Sequence, residues 1–219
     1  MPEELRIGII DDEHSECEDI QVSILDNLDA RVKVGFKEYT LQGKTKEKLF
    51  NEIQQDVLDE TVSALIVDFR LDTEKDIIEG WEIIKYMHDQ LPEFPVIIMT
   101  NAPEESRESD YTDADKVYAK KIFLNPEKPE TKELVKNMLL NIAKYRKHRT
   151  DLEKELESLL ERYVRGEEDE QFLQAIIRIE DDLGRYKNMS NTETEKALDL
   201  TELKEVLNQL MQYERMLKQ

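Results

Sequence analysis

Four short apolar runs, each closing on a residue able to carry or bind charge, constrain this 219-residue chain more than anything else in it. Leu5 to Ile10 closes on Asp11-Asp12, Ser63 to Val67 on Asp68, Pro95 to Met99 on Thr100, and Val117 to Ala119 on Lys120. A fifth run, Arg31 to Phe36, reads as a strand without such an ending. The stretches between them carry apolar residues at helical spacing: Ile20, Ile24 and Leu28 within 15–28, Leu49, Ile53 and Val57 within 45–58, a pattern over 80–90, and a weaker one over 104–112. Strands alternating with helices predict a parallel sheet covered on both faces. Right-handed crossovers then predict an α/β, flavodoxin-like, doubly wound sheet of five strands.

Past Pro126 and Pro129 the pattern changes. Met138, Ile142, Tyr145, Arg149, Leu152, Leu156, Leu159 and Tyr163 follow one another at spacings of four and three, which reads as a heptad seam. Phe172, Ile176, Ile179, Leu183 and Tyr186 continue the pattern, and Leu200, Leu203, Leu207, Leu210 and Leu217 resume it. Gly166 and the acids that follow it read as a turn into a helix start. The Ser190-to-Glu193 spacing suits a capping box. The expected division is therefore a domain over residues 1–128 and an α-helical hairpin or coiled-coil region over 129–219. Whether its three helices pack within one chain or between two is open.

The net charge of −20 is spread over both parts and repels phosphate backbones, so nucleic acid is not an expected partner. The run Lys144-Tyr-Arg-Lys-His-Arg149 is read as a solvated helix face. A lone cysteine, Cys17, rules out an intrachain disulfide. No apolar run nears the roughly 20 residues that span a bilayer, and no signal-peptide pattern opens the chain, so a cytoplasmic protein without membrane partners is expected.

In a doubly wound sheet the carboxyl ends of the strands meet at one crevice. Asp11, Asp12, Asp68, Thr100 and Lys120 are thereby brought together. Unit charges about 4 Å apart repel by roughly 4 kcal/mol at an effective dielectric near 20, so three carboxylates there call for a divalent cation. Oxygen ligands in an incomplete shell favour Mg²⁺. Beside it a carboxylate is a competent nucleophile toward a phosphoryl group, with the ammonium and hydroxyl as donors to phosphoryl oxygens.

Ile7-Gly-Ile-Ile-Asp11-Asp12-Glu13, Leu65-Ile-Val-Asp68, Val96-Ile-Ile-Met-Thr100 and Val117-Tyr-Ala-Lys120 together resemble the receiver domain of two-component response regulators over about residues 4–128. The resemblance implies that Asp68 accepts a phosphoryl group from a histidine kinase or phosphotransfer protein. It implies Mg²⁺ on Asp11, Asp12, Asp68 and the main-chain carbonyl of Arg70, with Thr100 and Lys120 contacting the phosphoryl group. The chain would be no enzyme beyond its own phosphorylation and dephosphorylation. It departs from the family pattern in placing Lys121 where a proline usually follows the lysine, which leaves Lys120 and Lys121 as alternative registers. Asn101 replaces the usual small residue, and the loop from Asp68 to Gly80 is longer than usual. Tyr118 is either the family's rotating aromatic or a core tyrosine. The C-terminal helices, lacking a helix-turn-helix pattern, would signal through an unidentified protein effector or a homodimer. The alternative is a non-switching scaffold or phosphate sink.

Overall fold

In the computed structural model, residues 5–71, 78–110, 112, 116–166 and 170–187 are described. Strands β1 (Leu5–Ile10), β2 (Val34–Glu38), β3 (Ala64–Val67), β4 (Val96–Thr100) and β5 (Val117–Ala119) alternate with helices. These are α1 (His14–Asp26), α2 (Lys46–Leu58), α3 (Gly80–Gln90), α4 (Pro103–Arg107), α5 (Lys120–Phe123), α6 (Pro129–Val164) and α7 (Glu170–Gly184). All strand pairs are parallel, in the order β2-β1-β3-β4-β5. The expected five-stranded doubly wound sheet is present, followed by a long helix and a shorter one.

The central strands are apolar without alternation because both faces are covered. Ile7, Ile9, Ala64, Ile66, Ile97 and Met99 face one core with Cys17, Ile20 and Ile24 of α1 and Val135, Met138 and Ile142 of α6. Ile10, Leu65, Val67 and Ile98 face the other, with Leu49, Ile53 and Val57 of α2 and Ile83, Ile84 and Met87 of α3. Gly8 sits where a Cβ would meet the Leu65 side chain at 2.6 Å and the Tyr39 ring at 2.7 Å, so any larger residue there would have to push these core side chains aside.

Differences from expectation are local. β2 begins at Val34 rather than Arg31 because its start is set by pairing with Leu5, while Asp29 to Val32 closes a turn. Helix α4 ends at Arg107 rather than near 112; Thr112 instead donates to the Ser106 carbonyl. The short α5 is unanticipated, and it makes Lys120 a first-turn helical residue as well as the residue after β5. Pro129 stands at the first position of α6, where a missing N–H is harmless. Thr131 ties α6 to α5 by donating toward the carbonyls of Ile122 at 2.9 Å and Asn125 at 2.8 Å.

Helix α6 has 36 residues and is about 54 Å long at 1.5 Å per residue. Its single stripe meets three partners in turn. Met138 and Ile142 pack on the sheet, Tyr145 joins the α2/α3-side core, and Leu152, Leu156, Leu159 and Tyr163 pack with Phe172, Ile176, Ile179 and Leu183 of α7. Gly166, at φ 91°, makes the turn after α6. The hairpin is fastened to the amino-terminal end of the sheet. There Tyr145 packs edge-on to Phe94 and stacks on Tyr186, and its hydroxyl donates to the Tyr186 carbonyl at 2.6 Å. Arg149 pairs with Glu60 at 2.5 Å and Glu153 at 3.1 Å, Lys187 pairs with Glu153 at 3.0 Å, and Arg185 pairs with Glu93 at 2.5 Å. Arg149, placed by its spacing in the seam and by the basic run around it on a solvated face, is buried, so the seam reading holds for it. The leucines from 200 to 217 and the expected cap at 190–193 lie outside the described residues.

Candidate functional site

β1 and β3 are neighbours, but the chain leaves them toward opposite sides of the sheet, so a crevice opens beyond their carboxyl ends. Asp11 follows β1 and Asp68 follows β3, and the register Ile10↔Val67 sets the two side by side. Oxygens of Asp11, Asp12 and Asp68 all lie within 4.8 Å of one another. Asp11 and Asp68 are buried, and Asp12 is exposed at the mouth. Asp68 keeps only 7% of its surface, yet it lines an open cleft of about 1120 Å³ with Asp12, Glu16, Arg70, Trp81, Thr100 and Lys120.

Each acid is aimed by the backbone after it. Glu13 N–H donates to Asp11 Oδ1 at 3.1 Å, and Arg70 N–H donates to Asp68 Oδ1 at 3.2 Å. Ala102 N–H donates to Thr100 Oγ1 at 3.1 Å, fixing a hydroxyl that is 1% exposed. The Lys120 ammonium reaches Asp68 Oδ2 at 2.7 Å and Asp11 Oδ2 at 2.7 Å, and also contacts Glu16. The contact with Asp11 Oδ2 is close but not aligned as a hydrogen bond, so this buried oxygen has no hydrogen-bond donor.

Burial pushes the carboxyls of Asp11 and Asp68 upward, and this outweighs the pull of Lys120 in the other direction. Burial alone would lower the Lys120 ammonium, but its contacts with Asp11, Asp68 and Glu16 prevail and hold it charged. One buried cation among four carboxylates leaves the crevice short of positive charge. An orphaned carboxylate oxygen beside two more, in an open cleft with room for water, fits a hard divalent cation such as Mg²⁺. The Arg70 carbonyl belongs to the same cleft-lining segment.

The sequence-expected Asp11, Asp12, Asp68, Thr100 and Lys120 therefore meet, and Lys120 is the lysine among the acids. Lys121 is exposed. Tyr118 is half-buried against the α1/α6-side core. Two residues of the site escaped sequence reading. Gly80 opens α3 against the acceptor strand: a Cβ there would meet the Asp68 carbonyl oxygen at 1.7 Å. Its signal was a glycine at a helix start, which reads equally as a loop end. Glu16 is an acid in the first turn of α1, a position that reads as favourable to the helix dipole whatever else it does. Arg70 also spans the cleft mouth in an ion pair with Glu105 of α4.

No family model matches the chain, and no curated protein does. Solved structures do. NtrX from Brucella abortus, solved with ADP, is 16% identical over 73% of this chain, with a TM-score of 0.46; the match spans 34% of NtrX, about a third of its length. The bacteriophytochrome response regulator AtBRR is 15% identical over 65% of this chain and 94% of its own, with a TM-score of 0.42. RcsB of Salmonella typhimurium, a response regulator studied for conformational dynamism in DNA interaction, is 15% identical over 87% and 95%, with a TM-score of 0.43. Among the described residues no helix is long and apolar enough to cross a membrane.

Proposed function

We propose that this chain is a response regulator whose receiver domain accepts a phosphoryl group on Asp68 from a histidine kinase or phosphotransfer protein. The observation that carries this reading is the clustering of three carboxylates within 4.8 Å with a buried ammonium 2.7 Å from Asp68. Asp11, Asp12, Asp68 and the Arg70 carbonyl would hold Mg²⁺, which when bound supplies charge compensation for the incoming phosphoryl oxygens. The chain's own groups do the rest. The Arg70 N–H and Lys120 fix the Asp68 carboxylate, so the nucleophile is oriented before the donor arrives. As the donor's phosphorus–nitrogen bond breaks, a bond from phosphorus to an Asp68 oxygen forms. The leaving imidazole takes up a proton, and Lys120 and the Thr100 hydroxyl donate to the transferred oxygens. The chain has no further reaction in this reading; its product is its own modified state.

Output runs through protein contacts of the helices after residue 128. Helix α6 is tied through Thr131 to α5, which begins at Lys120, so a displaced ammonium is felt at the start of α6. One observation favours a second reading. The α6–α7 hairpin is fastened at the opposite end of the sheet, which suits a scaffold or phosphate sink whose helices do not rearrange. Radiolabelled phosphoryl transfer tests the first claim: incorporation that needs Mg²⁺ and vanishes in Asp68→Ala is expected, and unchanged incorporation in that variant rejects it. Light scattering with and without beryllium trifluoride separates the two outputs. A change in oligomeric state or helix exposure supports the switch, and none supports the scaffold.

A further inference from the structure

Lys120 faces three acids on three elements: its ammonium hydrogen-bonds Asp68 after β3 and Glu16 on α1, and it pairs by charge with Asp11 after β1. These acids are not equivalent. The Asp11 side chain is 1% exposed and that of Asp68 8%, whereas that of Glu16 is 21% exposed. A phosphoryl group on Asp68 brings new oxygens that require donors, and Lys120 is the buried cation beside them. To serve them it must let go of a present partner. Releasing Asp11 would strand a buried carboxylate at high cost. Releasing Glu16 returns a partly hydrated group to the cleft water at lower cost.

We infer that Glu16 is a positioning residue that holds the Lys120 ammonium in the unmodified protein and is exchanged for the phosphoryl group, so that it sets how readily the acceptor state forms. This rests on the reading of Asp68 as acceptor. Glu16 opposes that state twice: its bond to Lys120 must break, and its charge then faces a dianion across the same cleft. Glutamine at this position keeps the shape, removes the charge and leaves Lys120 only a weaker, neutral acceptor.

The test is an equilibrium titration of the full-length protein with beryllium trifluoride at saturating Mg²⁺, followed by the fluorescence of Trp81, the only tryptophan, which lines the cleft. Glu16→Gln is expected to bind the mimic about tenfold more tightly, because the charge-assisted bond that must yield is weakened and the facing charge is gone. Its affinity for Mg²⁺ alone, read from the same fluorophore, should change far less. Glu16→Asp, one methylene shorter, should fall between glutamine and wild type. In Mg²⁺-free protein the ammonium protons of Lys120, observed by nitrogen-15 NMR, should exchange with water faster in Glu16→Gln; a merely structural carboxylate would not move this signal. Unchanged or weaker mimic binding in Glu16→Gln overturns the inference, and so does a parallel loss of Mg²⁺ affinity, which would make Glu16 part of the metal site. If Asp68→Ala still binds the mimic, the acceptor reading itself has failed, independently of Glu16.

Discussion

Lys120 and Arg149 are both cations buried among carboxylates, at opposite ends of the same sheet, and their surroundings differ in one respect. At the amino-terminal end, Arg149 and Lys187 meet Glu60 and Glu153: two charges of each sign, in contacts of 2.5 to 3.1 Å. At the carboxyl end, Lys120 faces Asp11, Asp68 and Glu16, with Asp12 close by. The balanced cluster is complete and shares its end of the molecule with an aromatic stack of Phe94, Tyr145 and Tyr186. The unbalanced one leaves a buried Asp11 oxygen without a donor. A buried ion cluster whose charges cancel works as attachment; one with surplus acid calls for a further cation.

Four perturbations bear on this contrast. The largest effect should come from Tyr145→Ala, because the attachment is an aromatic joint as much as an electrostatic one. Removing a buried aromatic costs about 3–5 kcal/mol. Urea denaturation should show that loss, and limited proteolysis should show α7 cleaved sooner. A loss below about 1 kcal/mol would mean that the hairpin is not held there.

Next comes Mg²⁺. A ligand that binds only the folded state stabilises it by about 2.7 kcal/mol at a hundred times its Kd. Thermal unfolding of the wild type should rise accordingly with added Mg²⁺, and that of Asp11→Asn should not. Arg149→Met should keep the full Mg²⁺ response. Equal responses in Asp11→Asn and wild type would remove the distinction between the clusters.

Smaller again is the pair of charge removals in metal-free protein, which should have opposite signs. Arg149→Met should destabilise by about 1–2 kcal/mol, since Glu60 is exposed and Glu153 keeps Lys187. Asp12→Asn should stabilise by roughly 1 kcal/mol by relieving repulsion. Destabilisation by both, measured by chemical denaturation in EDTA, would show that the carboxyl-end acids are not in surplus.

How far these clusters could be read beforehand follows from what sequence periodicity encodes. The carboxyl-end site was legible because its members close strands, and topology alone brings strand ends together. Even the choice of Lys120 over Lys121 turns on one further fact, that a helix starts directly at Lys120 and directs the two side chains apart. Glu16 was illegible because its partner is 104 residues away and a first-turn acid needs no partner. At the other end, spacing identified Met138, Ile142, Tyr145, Arg149 and Leu152 as one stripe. It could not say that the stripe changes partners from sheet to loop to α7, because a helix repeats its buried face identically whatever covers it. The docking of Arg149 and Arg185 depends on Glu60 and Glu93 lying in the turns before β3 and β4, a tertiary fact with no local signature.

The finest discrimination is by pH, where the two ends should respond in opposite directions. Burial pushes Asp68 upward past the pull of Lys120, so its folded value lies above the unfolded one of about 3.9. Folding then disfavours its charged form. That cost is present at neutral pH and disappears as pH falls through the raised value toward about 4. Burial would raise Glu153 too, but Lys187 and Arg149 outweigh it and hold the carboxyl low. Its contribution is therefore present above the unfolded value of about 4.3 and is lost only as pH falls below that. In EDTA, Asp68→Asn should exceed the wild type in stability at pH 7, with the advantage closing on approach to pH 4. Glu153→Gln should trail the wild type at pH 7 by about 1 kcal/mol or less, since the pair is a third exposed. That deficit should hold down to about pH 4.3 and narrow only beneath it. Urea midpoints for the three proteins across pH 4 to 7 decide the matter. Gaps that move together with pH would mean that charge surplus at one end and balance at the other is not what distinguishes them.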